Sequence, residues 1–322
     1  MIARPLLPPP LHLRLPATSA NLGPGFDALG LALSLYLTID AQLSPTTAIT
    51  ATGRSADLCG SLSGNLILMT YTEVLGRQGL AAPSLALQLH NEIPLGMGCG
   101  SSAAAILAGV QLANHFGRLL WSPQQVLDEA CAREGHPDNV AACFHGGLTA
   151  SSTVLPASVQ PQPTTLTATL GHNLPWRLLL ALPTASLSTT TARALLPASF
   201  SRTDAVANLQ ATALLVSAFA LDRPDLLHSA MHDRLHQPFR AALCPLLPAL
   251  LPLAGHHGIY GVALSGAGPS VLLIASPSVL LIANPALPPD PIHQAIRSAA
   301  GGHLSEVLSL SIGTAADLGP GL

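Results

Sequence analysis

The chain has 322 residues, 49% of them hydrophobic, and a formal net charge of −3, which gives room for two domains and a sizeable core. Its mean hydropathy of +0.46 is high, yet proline interrupts the most apolar stretches at Pro245, Pro248, Pro252, Pro277 and Pro285, and none reaches the roughly eighteen apolar residues a membrane span needs. No basic run could neutralise a phosphate backbone, so neither a nucleic acid nor a membrane is the expected partner.

Taken from the N-terminus, the opening M-I-A-R-P-L-L-P-P-P lacks the apolar core of a signal peptide, and a cytoplasmic location is expected. Leu11–Pro16 predicts a short strand entering a polar, glycine-rich turn over Ala17–Gly30, and Leu31–Gln42 alternates as a second strand. Asn65–Leu75 has helical character, and Leu85–His90 alternates strictly as a half-buried strand. The segment Pro94–Gly100 is a glycine-rich loop leading into an alanine-rich helix, Ser101–Phe116. Ser122-Pro123 is a helix-start signal for a helix running to Arg133. Val154–Gly171, rich in proline, threonine and alanine, predicts a loop with an edge strand, and the domain boundary is expected there, dividing the chain into 1–160 and 161–322. Trp176–Leu182 predicts a buried strand, Thr203–Leu221 a long helix, and Tyr260–Leu264 and Val271–Ala275 strands flanking a third glycine loop, Ser265–Ser270. Pro269–Ser276 and Pro277–Asn284 are nearly the same eight residues twice, which suggests two adjacent strands or one strand with a buried extension.

All thirteen basic residues are arginine. The absence of lysine removes the Walker-A lysine, the protein-kinase strand lysine and every Schiff-base mechanism. A nucleotide would have to be held by backbone amides, hydroxyls, arginine and a metal ion. Five cysteines (Cys59, Cys99, Cys131, Cys143, Cys244) form no Cys-x-x-Cys pair, so reduced thiols are expected rather than a disulfide frame or zinc ribbon. His228, His232 and His236 fall at i, i+4 and i+8, one face of an expected helix; without a carboxylate or cysteine partner in reach by sequence, packing is a better reading than a zinc site.

The loop Pro94-Leu95-Gly96-Met97-Gly98-Cys99-Gly100-Ser101-Ser102-Ala103-Ala104 carries the chemistry. Alternate glycines let backbone approach a ligand, and the helix start behind them offers unpaired amides and the positive end of its dipole to phosphate. Ser101 and Ser102 add hydroxyls. The same segment fits a G-x-G-x-x-A dinucleotide fingerprint, but the acidic residue expected some twenty positions on is missing.

Four segments together resemble the homoserine kinases of the GHMP superfamily: P-A-T-S-A-N-L-G-P-G-F-D at Pro16–Asp27, the loop above, E-G-H-P-D-N-V-A at Glu134–Ala141, and L-S-G-A-G-P-S at Leu264–Ser270. T-T-T-A-R and D-R-L-H-Q-P-F-R strengthen the likeness, whereas Cys99 stands where the family usually has leucine. The resemblance implies a two-domain α+β GHMP fold with its active site in a cleft between a phosphate-loop domain and a C-terminal α+β domain, ATP and Mg2+ as cofactors, L-homoserine as substrate, and a homodimer. Ser102 and Glu134 are the implied Mg2+ ligands, with Asp128 and Glu129 as alternatives on the preceding helix. Asp27 and Asn21 are the implied contacts to the ammonium and hydroxyl of the substrate. Arg193 and Arg240 resemble the family's carboxylate-binding arginines, whose planar fork suits that partner. His136, Asn139 and Thr189 line the same pocket by resemblance, and Asn65 lies beside the adenine. No residue stands out as a general base, and the resemblance implies direct attack by the substrate hydroxyl. Another GHMP small-molecule kinase, such as one acting on threonine, and a catalytically silent GHMP-fold binding protein are the rival readings.

Overall fold

The computed structural model describes residues 7–154, 163–277 and 290–319. Two long strands open it, β1 (Leu11–Asn21) and β2 (Gly25–Leu43), followed by β3 (Ala48–Gly53), α1 (Ala56–Cys59), α2 (Leu66–Arg77), β4 (Leu85–Asn91), α3 (Ser101–Gly117), α4 (Pro123–Glu134), α5 (Asp138–His145), β5 (Leu148–Val154) and β6 (Thr164–Leu170). The turn expected over residues 17–30 shrinks to 22–24. Thr18 and Ser19 are fully buried within β1, because small polar residues whose backbone is saturated by pairing fit an interior strand as well as a turn.

The first sheet runs β3-β4-β2-β5-β6, with β1 also paired to β2; only β3 and β4 run parallel. Because β6 pairs with β5 through Leu170, this sheet continues to that residue; the expected boundary at 160/161 lies outside the described residues. α3 is apolar nearly all round and accordingly buried. α4 begins with a full capping box: the Ser122 hydroxyl accepts from the Gln125 amide, Gln125 reaches back to the Ser122 N–H, and Pro123 occupies the first turn.

The remaining elements are β7 (Arg177–Pro183), α6 (Thr189–Ala194), α7 (Arg202–Ala220), α8 (Leu227–Ala230), α9 (Gln237–Arg240), α10 (Leu246–Leu250), β8 (Ile259–Leu264), β9 (Val271–Ala275), α11 (Pro291–Ala300) and β10 (Leu304–Leu310). They form a second, antiparallel sheet in the order β10-β7-β9-β8. The first copy of the repeated octapeptide supplies β9, buried along its whole length; most of the second copy lies outside the described residues. The expected histidine helix does not form. His228 lies in α8, His232 in a loop, and His236 just before α9, because the Asp233 carboxylate accepts the amides of Leu235, His236 and Gln237 and so folds the segment into a turn. After β10 the chain returns to the first sheet, bridging Leu33 to Ile312 and Arg14 to Asp317.

Candidate active site

Three loops converge between the two sheets: the β1–β2 turn, the glycine loop before α3, and the β8–β9 loop. The glycine loop takes positive φ at Gly96, Gly98 and Gly100. Sequence reasoning assigned these glycines to ligand approach, but two are demanded by neighbouring protein. A Cβ on Gly98 would lie 2.1 Å from the Ser265 carbonyl oxygen and 2.7 Å from that of Gly268, and one on Gly100 would lie 1.8 Å from Thr18 Oγ1. Hydrogen bonds lock the contact: Ser265 Oγ donates to the Gly98 carbonyl at 2.7 Å, and the Thr18 amide donates to the Cys99 carbonyl at 3.0 Å. Gly100 caps α3 with no side-chain acceptor, leaving first-turn amides of a 17-residue helix for a ligand.

Beside that helix start, Ser102 Oγ donates to Glu134 Oε2 at 2.9 Å. Burial pushes the Glu134 carboxyl above its ordinary range, and the Ser102 hydrogen bond offsets this in part. A half-buried carboxylate and a hydroxyl at this helix start are hard oxygen donors of the kind Mg2+ takes. The alternatives point elsewhere. Asp128 accepts from the Thr165 amide and from Gln124, and Glu129 pairs with Arg133 and Arg77.

A cavity of about 90 Å3 opens in front of Ser101 and Ser102 and is bordered by Asp27, Glu134, Asn139, Arg193 and Arg240. Asp27 and Arg193 meet as a two-pronged ion pair, Nη2–Oδ1 at 2.7 Å and Nη1–Oδ2 at 3.1 Å, both partly exposed. Arg240 is only 2% exposed, and among the described residues it has no carboxylate within ion-pair distance. Burial, then the nearby Arg193 charge, lowers its pKa. Both guanidiniums lie near the Phe26 ring, at 5.5 and 5.6 Å from its centroid. His136 Nδ1 bonds Asp138 Oδ1 at 2.5 Å; burial disfavours the imidazolium, but the Asp138 hydrogen bond and charge outweigh it and its pKa is raised.

The structure adds detail at the other residues singled out by sequence. Asn21 contacts protein with both ends of its amide: Nδ2 donates to the Gly266 carbonyl and Oδ1 accepts from the Asp27 amide, which orients the side chain in the cavity wall and leaves the second Nδ2 hydrogen for a ligand. Asn65 caps α2, accepting from Ile67 and Leu68 and donating to the Cys59 carbonyl. It borders a second, mostly apolar cavity of about 280 Å3 shared with Leu95, Ser101 and Ser102, which suits an aromatic base. Ala103 and Ala104 are fully buried, and the Ala104 amide already donates to the Gly100 carbonyl at 3.1 Å, so this pair packs the helix start behind the loop. Cys99 is buried with its thiol pushed up to about 12, an inert group. Thr189 begins α6, and its side chain lies outside the described residues. Phe26, Thr18 and Asp138 were missed as site residues although all stand in quoted motifs; Thr18 Oγ1 donates to Asn139 Oδ1 at 2.7 Å, a contact across 121 positions that no local pattern reveals.

The fold and this loop-and-helix site define a small-molecule kinase of the GHMP class: the models "GHMP kinases N terminal domain" and "GHMP kinases C terminal" match residues 65–147 and 215–283. The chain is 47% identical to a homoserine kinase of Solibacter usitatus over 81% of its length and 84% of the relative's, and 40% identical to that of Deinococcus radiodurans over 82% and 83%. With this likeness, the chain belongs to the homoserine kinase family. A homoserine kinase structure from Cytophaga hutchinsonii superposes with a TM-score of 0.76 at 24% identity, covering 98% of this chain and 99% of that one. Mevalonate kinase from L. major shares the fold at TM-score 0.67 and 13% identity, over 94% and 95%.

Proposed function

We propose that this chain transfers the terminal phosphoryl group of ATP to the side-chain hydroxyl of L-homoserine, giving ADP and O-phospho-L-homoserine, a step toward threonine. The observation that carries the reading is Arg240, a buried cation without a carboxylate partner among the described residues, bordering the same cavity as the α3 helix start. A buried unpaired charge costs several kcal/mol, which an incoming carboxylate offsets.

Free amides of the Pro94–Ala104 loop would cradle the triphosphate, and the apolar cavity beside Asn65 would take the base. Ser102 and Glu134 would hold Mg2+, whose charge would lessen that of the transferred group. Arg193 and Arg240 would bind the substrate carboxylate and Asp27 its ammonium, with His136 and Asn139 along the wall and Thr189 expected there from the resemblance. Because Asp27 is paired with Arg193, it suits charge recognition better than proton abstraction; the hydroxyl would attack directly, its proton leaving through phosphate or solvent. All five thiols are free, which suits the reducing cytoplasm, and among the described residues no helix is long and apolar enough to cross a membrane. A homodimer remains the expectation from the family, open to sedimentation analysis.

The test is a coupled ADP-release assay with homoserine, threonine, mevalonate and shikimate. Homoserine turnover should dominate, and Arg193→Ala should weaken homoserine use while leaving ATP binding intact. Nucleotide binding with no ADP release on any of the four would overturn the reading.

A further inference from the structure

His236 has no role in the scheme above, yet it is fully buried against the site. Its Nδ1 lies 3.0 Å from Arg240 Nη1. A guanidinium only donates, so Nδ1 must accept, which leaves the ring proton on Nε2. Nε2 lies 2.8 Å from the Gly23 carbonyl oxygen, a pure acceptor. The two contacts therefore select one neutral tautomer between them. The ring also stacks on Phe26 at 5.4 Å between centroids and 30° between planes. Asp233 Oδ2 is the nearest carboxylate, 3.5 Å from Nε2, but it already accepts the His236 and Gln237 amides.

The Gly23 carbonyl belongs to the β1–β2 turn, which leads directly into Phe26 and Asp27 at the start of β2. That turn is held from the C-terminal side at a second point, where Asn208 and Thr212 donate to the Pro24 carbonyl. One imidazole thus joins the buried arginine to the turn bearing the acidic residue.

We propose that His236 is a positioning residue that fixes the Arg240 guanidinium relative to Asp27, setting the spacing at which the site accepts an α-ammonium and an α-carboxylate together. The inference rests on the reading that Arg240 receives the substrate carboxylate. Arg240 Nε also donates to the Ala192 carbonyl at 3.2 Å; removing the His236 acceptor leaves that single tether, so the guanidinium loses directional strength while its charge persists.

Two near-isosteric substitutions separate the ring's contacts. In His236→Asn the amide oxygen can stand near the place of Nδ1 and keep an acceptor for Arg240. In His236→Gln the amide reaches the place of Nε2, keeping the donor to Gly23 and losing the acceptor. The KM for homoserine should rise about tenfold in His236→Gln and only about two- to threefold in His236→Asn, a roughly three- to fivefold gap of the order of one ordinary hydrogen bond. In both, kcat and the KM for ATP should stay within about twofold, since neither contact touches the phosphate loop. The inhibition constant of 3-aminopropan-1-ol, which is homoserine without its carboxylate, should barely change. Equal rises in the two variants, an equal rise in the KM for ATP, or an equal loss of 3-aminopropan-1-ol binding would overturn the proposal. Arg240→Ala serves as the reference: if it too weakens the amino alcohol as much as homoserine, the carboxylate reading itself falls and this inference with it. If Arg240→Ala is selective for homoserine and His236→Gln is not, only the role of His236 is lost.

Discussion

The side chains around the cavity divide into those that meet a ligand and those that hold others in place, and substitution separates them. Asp27 and Arg193 form a partly exposed pair, which contributes less than about 1 kcal/mol to folding. Asp27→Asn should therefore leave urea denaturation nearly unchanged while raising the KM for homoserine at least tenfold by loss of an ion-paired contact; a large stability loss would assign the pair to structure instead. Glu134→Gln keeps the shape and removes the negative charge beside Ser102. It should lower kcat about a hundredfold or more, and Ser102→Ala should raise the Mg2+ concentration needed for half the maximal rate. Both effects are read from metal titrations at saturating ATP. Cys59 is the half-buried thiol, raised by burial, and it borders the apolar cavity beside Asn65. In the native protein iodoacetamide should alkylate Cys59 before the four buried thiols, and ATP should slow it; mass mapping of the labelled peptides with and without nucleotide checks this.

At the level of elements, the helices read well because their ends are marked chemically: Ser122-Pro123 opens α4, Asn65 caps α2, and Gly100 precedes α3. Buried strands β7 and β9 are likewise plain as apolar runs. Failures came where polarity was taken for exposure, as over Ala17–Asn21, and where a local spacing was taken for a helix, as over 228–236. The quoted motifs located most of the cavity wall. They could not reveal that the Asn21 amide reaches the Gly266 carbonyl, or that Arg240 lies buried against His236, since the first contact spans 245 positions and the second depends on a turn. The glycine loop gives a test at this scale. Gly98 and Gly135 both have positive φ, but a Cβ on Gly135 meets nothing within 4 Å, whereas one on Gly98 strikes two backbone carbonyls. Gly135→Ala should cost about 1 kcal/mol, the left-handed penalty alone. Gly98→Ala should cost clearly more and raise the KM for ATP, because the loops must part; thermal melts and nucleotide kinetics compare them.

Across the whole molecule, the two sheets are tied by chain segments that cross back. The stretch after β10 bridges to β1 and β2, and Leu318 accepts from Gln111 Nε2 on α3 at 2.7 Å. Deleting residues beyond Leu310 should lower the melting temperature by several degrees, with activity lost in parallel; an unchanged melt would show the return segment to be dispensable. The Asp27–Arg193 contact has one more consequence. A molecule bearing both charges trades one ion pair for two, so opening the site is compensated on each side. A simple amine or a simple acid of similar size must break the same contact and satisfy half of it, stranding either a carboxylate or a guanidinium. Common metabolites with a lone charge are thereby disfavoured before any fit of their carbon skeleton is tried.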